Sequence, residues 1–150
     1  MMINTFRYLF LAIILLFANL LQAEELLMAR TQTTFPEAMV KLQMVLKKHN
    51  YTLSRVQRVD IGLTAKGYKT DKYRVVFFGR ADEVELITNK YPELIPYLPY
   101  KIAIFAEAEE TLLVASNPEV LFSDAKGELK TIIKRWHNDL TSIFHDVRQD

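Results

Sequence analysis

The sequence predicts an α+β domain: a mixed or antiparallel sheet with helices packed on one face, in the order β-α-β-β-α-β-β-α. Three observations carry this prediction. Residues 35–46 and 129–147 repeat apolar side chains at helical spacing. Tyr73–Phe78, Lys101–Ala106 and Thr111–Ser116 are apolar runs of strand length, the first closed by Gly79 and the last by Asn117-Pro118. Strands and helices do not alternate strictly, and Glu107-Ala108-Glu109-Glu110 reads as a hairpin turn between two strands.

Composition bounds the function. The chain has 150 residues with five Pro, four Gly and no Cys, and its 19 basic against 18 acidic side chains leave a net charge of +1. One domain is the natural count at this length. Disorder, collagen-like repeats and a disulfide scaffold are excluded. A nucleic-acid binder would be strongly basic, so none is expected.

The first 23 residues read as a secretory signal. Met1 to Arg7 hold one positive charge and no acid, Tyr8 to Ala18 are an unbroken apolar run, and Glu24-Glu25 follow Ala23. Basic start, apolar core, small residue and polar mature start come in the order of such a signal, with cleavage expected after Ala23. The alternative is an uncleaved membrane anchor. A spanning helix needs about 20 apolar residues, and Tyr8–Ala23, interrupted by Asn19 and Gln22, falls short. Export places the protein in the periplasm or another extracytoplasmic space. Removing residues 1–23 takes away Arg7 and no acid, so the single domain 24–150 is neutral. Such a domain has no field to steer a polyanion.

Along that domain, Leu26–Thr31 is a short first strand. Thr34 and Glu37 form a capping box with Pro36 in the first turn. The helix they open turns Phe35, Ala38, Met39, Leu42, Val45 and Leu46 inward. Lys47, Lys48 and His49 close it with positive charge, and Asn50 suits the terminating left-handed conformation. Tyr51–Leu63 reads as one strand or two, apolar at 51, 53, 59, 61 and 63, with a bulge near 55–57 where Arg55 and Gln57 break the face. Thr64–Lys72 is a polar loop, and Tyr73–Phe78 suits a strand covered on both faces. Ala81–Lys90 is a helix with Val84, Leu86 and Ile87 inward. The prolines of Tyr91–Tyr100 forbid a long helix or a central strand. After the hairpin pair, Asn117-Pro118 breaks the chain before a long amphipathic helix at about 127–147. Its stripe is Leu129, Ile132, Ile133, Trp136, Leu140, Ile143, Phe144 and Val147.

Several of these pieces resemble, in order, a family catalogued as domain of unknown function 302. They are the helix after Thr34-Phe35-Pro36-Glu37; Val59-Asp60-Ile61-Gly62-Leu63, similar to a strand ending in an acid; Tyr73–Gly79; Leu98-Pro99-Tyr100-Lys101-Ile102; and Asn117-Pro118-Glu119-Val120-Leu121. The resemblance covers roughly residues 26–122, and the C-terminal helix looks like an addition to it. Two positions depart from the family pattern. Arg80-Ala81 stands where common members have Asn-Pro, and Ile61 follows Asp60 where many have His. The second departure leaves no Asp-His pair for metal binding or proton transfer. The resemblance implies a compact α+β fold, often dimeric, and no established activity.

Candidate chemistry is sparse. Asp60, in an apolar frame, could act as a base or grip a cation, or satisfy backbone donors at a strand end. Lys66, Lys69, Lys72 and Arg74 cluster around Gly67 and could hold a carboxylate or phosphate, or be a solvated loop. The tyrosines of 91–100 could line an apolar pocket with polar tips, or anchor a rigid connector. His137 and His145 lie about 12 Å apart along one helix, too far for a shared metal. No metal or cofactor is expected, and there is no Gly-x-Ser-x-Gly elbow or Cys nucleophile.

The leading expectation is an exported, non-catalytic module that binds a small molecule or a protein, working as a homodimer. Its ligand residues are Asp60, Lys66, Tyr97, Tyr100 and Lys101, with charge from Asp60 and Lys101 and an apolar wall from the tyrosines. The alternatives are a small acid–base enzyme using Asp60, and an accessory subunit docking through its last helix. N-terminal sequencing of the protein from the extracytoplasmic fraction should begin at Glu24; a start at Met1 or Met2 refutes cleavage.

Overall fold

A computed structural model describes residues 25–149. The expected signal segment 1–23 lies outside the described residues. Five strands, β1 (Leu26–Thr31), β2 (Thr52–Arg58), β3 (Tyr73–Gly79), β4 (Tyr100–Ala106) and β5 (Thr111–Ser116), form one sheet in the order β1-β5-β4-β3-β2. All four pairings are antiparallel. The helices are α1 (Phe35–Lys48), α2 (Val59–Thr64), α3 (Ala81–Lys90), α4 (Pro118–Leu121) and α5 (Gly127–Arg148), with a 3-10 helix at Pro92–Tyr97.

Local chemistry explains most boundaries. Thr34 and Glu37 close the capping box that opens α1. Asn50 ends α1 at φ 60°, the left-handed conformation that Asn tolerates at low cost. The 3-10 helix absorbs Pro92 and Pro96 without the long hydrogen-bond ladder they would break.

α1 and α5 lie on one face of the sheet. Their stripes, with Leu42 and Leu46 from α1 and Leu140, Ile143, Phe144 and Val147 from α5, bury Ala29, Val76, Phe78, Ile102, Ile104, Leu113 and Ala115. A smaller cluster of Ile87, Leu94, Ile133 and Trp136 seats α3 and the 3-10 helix on the first half of α5. Tyr100 packs against both clusters.

Four expectations are corrected. Residues 59–63 are not strand: β2 stops at Arg58 and Val59–Thr64 is a helix. Val59 and Leu63, one turn apart, are half-buried, whereas Ile61 between them is 47% exposed. The burial period is therefore four and not two. The register shift in β2 falls between Leu53 and Arg55, ahead of the expected bulge. In α3 Glu83, not Leu86, turns inward beside Ile87, because Arg135 of α5 meets its carboxylate. Finally, β3 is covered on one face only. Tyr73, Val75 and Phe77 remain half-buried on the other, away from α1 and α5.

A polar hub ties these elements together. The Asp139 carboxylate of α5 accepts from the Tyr51 hydroxyl at 2.7 Å and from Arg80 and Arg135, each at 3.3 Å. Arg80 also donates to the His49 carbonyl at 3.0 Å and lies 4.4 Å over the Tyr51 ring. Arg135 spans Asp139 and Glu83. Removing Asp139 takes one acceptor from each of two guanidinium groups, 26% and 36% exposed, which keep the His49 carbonyl and the Glu83 carboxylate respectively. Asp139→Ala is therefore expected to lose about 1.5–3 kcal/mol of stability in urea unfolding, the worth of hydrogen bonds to a charged group, because each arginine keeps a second acceptor. Lys90→Ala, which removes a pair whose partners are both more than half exposed, should leave the midpoint unchanged.

Candidate functional site

The proline-rich connector between α3 and β4 builds the wall of a cleft. Its lining is Tyr97 from the 3-10 helix, Tyr100 and Lys101 from the start of β4, Ser116 from the end of β5, Pro118, Leu121 and Phe122 at α4, and Leu140 from α5. The volume is about 170 Å³. Most of this surface is apolar, with a few polar tips.

The aromatic residues hold one another in place. Tyr97 and Phe122 meet edge to face, centroids 5.0 Å apart. Behind the wall, Tyr100 meets the Trp136 ring at 4.4 Å and the Phe78 ring at 5.9 Å. Burial pushes the Tyr100 hydroxyl far above the ordinary phenol range, so it stays neutral at physiological pH. Its oxygen and Trp136 Nε1 are both buried without a hydrogen-bond partner in the described chain. Tyr97, in contrast, is 47% exposed and stands at the entrance.

Lys101 is the single charged residue in the lining. Among the described residues its ammonium has no ion-pair partner. Lys101 and Ser116 also border a shallow trough of about 330 Å³ on the uncovered face of the sheet, floored by Val75, Phe77, Ala103 and Val114. Cleft and trough therefore meet at these two residues.

Of the five residues singled out from sequence, Tyr97, Tyr100 and Lys101 come together here, while Asp60 and Lys66 lie elsewhere. Asp60 sits in the first turn of α2, where its carboxylate accepts from Arg74 of β3. The Arg74 guanidinium, with the Ile61 amide, holds the Asp60 carboxyl below the usual carboxylate range. Arg74 in turn lies 5.8 Å from the Phe35 ring centroid. The basic cluster around Gly67 is thereby divided, because Arg74 is spent on Asp60 and Lys66 points from an exposed turn after α2. Ser116, Leu121, Phe122 and Leu140 went unseen in the sequence. The Asn117-Pro118 break places three of them opposite the tyrosines, and only the hairpin and the start of α4 reveal it.

Among the described residues no three His, Asp or Glu side chains gather as a metal would need. His137 Nδ1 donates to Asn117 Oδ1 at 3.0 Å, and His49 Nε2 lies 3.1 Å from Asp146.

A sequence model of the family described as "Domain of unknown function DUF302" matches residues 28–147. Among solved structures, the chain is similar to one titled "Crystal structure of uncharacterized conserved protein DUF302 from Bacillus stearothermophilus". The TM-score is 0.77 at 19% identity, over 84% of this chain and 100% of that one. At that identity the likeness speaks for the fold. None of the curated proteins matches the chain. The C-terminal helix, expected to be an addition, falls largely within the matched residues.

The Asp60–Arg74 pair has a pH signature. Because the folded carboxyl titrates below its unfolded value, its contribution is complete above about pH 4 and disappears as pH falls through the folded value. Asp60→Asn should therefore lower the melting temperature at pH 7 and differ less and less from wild type below pH 4. An unchanged gap at low pH would remove this pair as the cause.

Proposed function

The chain belongs to the DUF302 family, and on that premise we propose that it is an exported, non-catalytic module that binds a small molecule in the cleft at Tyr97. The observation that carries the reading is one of convergence. Tyr97, Tyr100 and Lys101 meet Ser116, Leu121 and Phe122 around one apolar cleft that holds a charge with no partner. Apolar walls supply affinity without direction, and the few polar tips supply orientation. The order of charge and apolarity in residues 1–23 supports export.

The same reading includes a homodimer. Its support is the uncovered face of the sheet, where Met28 is 54% and Leu26 44% exposed beside the half-buried Val75, Phe77, Ala103, Phe105, Leu112 and Val114. A monomer seldom leaves so broad an apolar face in water.

Geometry weighs against the two alternatives. An acid–base enzyme working through Asp60 would need a free carboxylate, and Arg74 occupies this one. An accessory subunit docking through α5 would need its apolar stripe on the outside. Ile133, Trp136, Leu140, Ile143, Phe144 and Val147 all face the core.

Native mass spectrometry of the protein incubated with a small-molecule extract of the extracytoplasmic fraction tests both parts. A dimer carrying an added mass on each subunit is expected, with a rise in melting temperature. A ligand at a hundred times its Kd contributes about 2.7 kcal/mol. Tyr97→Ala should keep the fold and lose the added mass. A bare monomer, with no extract fraction raising the melting temperature, refutes the reading.

A further inference from the structure

The ligand's chemistry can be narrowed from the lining itself. Resting on the binding reading above, we propose that the cleft takes a small carboxylate with an apolar body, its anionic head at Lys101 and Ser116 and its body between Tyr97, Leu121, Phe122 and Leu140.

Charge comes first. Lys101 is the one charged residue of the lining, no carboxylate borders the cleft, and no described acid pairs with the Lys101 ammonium. A cationic ligand would meet a like charge. A neutral one would cover part of the ammonium and its stem while returning nothing for the lost hydration. An anion offsets that cost, because a hydrogen bond between ammonium and carboxylate is about twice as strong as a neutral one.

The neutral polar groups agree. Ser116 and Tyr97 line the same cleft, and neither hydroxyl has a hydrogen-bond partner among the described residues. Each can donate. With the three protons of an ammonium they suit an acceptor with several lone pairs, which a carboxylate is. Nothing in the lining is an obligate acceptor that would require a donor on the ligand.

Size sets the body. An apolar cavity of about 150 Å³ accommodates benzene. The 170 Å³ here therefore hold one aromatic ring or a short alkyl chain. Tyr97 and Phe122, packed edge to face at 88°, supply two aromatic rings to the lining around such a body. A long acyl chain would overrun the cleft onto the trough beyond Lys101.

The test uses four probes on the full domain: benzoate, benzyl alcohol, hexanoate and acetate. Trp136 is the chain's one tryptophan, and its ring lies 4.4 Å from the Tyr100 ring that lines the cleft, so its fluorescence reports occupancy. Amide chemical shifts at residues 97, 101, 116 and 121 report position. Benzoate and hexanoate should bind at least about tenfold more tightly than benzyl alcohol and acetate, a gap of about 1.4 kcal/mol. Salt should narrow that gap. Lys101→Met, which keeps the stem and removes the charge, should bind benzoate and benzyl alcohol alike. Benzyl alcohol binding as well as benzoate to wild type would overturn the carboxylate assignment while leaving the cleft a binding site. A carboxylate preference that survives in Lys101→Met would overturn it too. If no probe perturbs Trp136 or the four amides, the assignment and the binding reading fall together.

Discussion

The Asp139 carboxylate is the joint on which the placement of the cleft depends. It accepts from Tyr51 at the entry to β2, from Arg80 at the start of α3 and from Arg135 on its own helix. These groups come from three separate stretches of chain, and hydrophobic packing alone would let α3 slide along α5. Directional bonds fix the register. Arg80, bound to Asp139 and to the His49 carbonyl and stacked on Tyr51, pins the first turn of α3. The Glu83–Arg135 pair pins the next turn. From there the 3-10 helix has nowhere to go but across the end of the sheet, and Tyr97 and Tyr100 arrive where they line the cleft. The hub also carries unspent capacity, for Arg80 Nε and Glu83 Oε2 are buried without partners in the described chain. Such groups tolerate little rearrangement, since each bond lost adds to an existing cost.

Local signals in the sequence were sufficient for the outline of the fold. The Thr34–Glu37 box, the left-handed Asn50, the continuous stripe of α5 and the acidic hairpin turn are all short-range chemistry, and each appears as expected. Residues 59–63 misled for a physical reason. Apolar side chains at 59, 61 and 63 satisfy a period of two, and a helix of six residues is too short to display the competing period of four. What decides is tertiary: the pairing of β2 ends at Arg58 opposite Arg74, one residue short of the start of β3, and Asp60 of the following turn meets Arg74.

The site was legible only in part, and the division follows sequence distance. Tyr97, Tyr100 and Lys101 are neighbours in the chain, and their odd composition among prolines marks them. Their counterparts Ser116, Leu121 and Phe122 are ordinary residues that matter because the β4–β5 hairpin returns them to the same end of the sheet. Asp60 shows the reverse case. An acid in an apolar frame looks like chemistry until the β2–β3 register brings Arg74 to it across fourteen residues. Glu83 was missed for the same reason, because a charge belongs inside only when its partner is known, and Arg135 is 52 residues away.

The sheet has two apolar faces and helices for one of them. Cross-strand rows on the open face run Gln57, Val75, Ala103, Val114, Met28 and, beside it, Arg55, Phe77, Lys101. The polar Gln57 and the charged Arg55 stand on the edge strand β2, and apolar residues fill most of the middle strands. Lys101 is the exception, a cation on a central strand whose neighbours are apolar. Its position makes physical sense because β4 passes from the trough into the cleft at that residue, so Lys101 lines both. Any body that covers the trough removes water from one side of Lys101, and any ligand in the cleft removes it from the other. The effective dielectric falls in both cases, and an anion held there gains strength from each. A ligand in the cleft and a body over the trough would then share one charge, and any coupling between them would run equally in both directions.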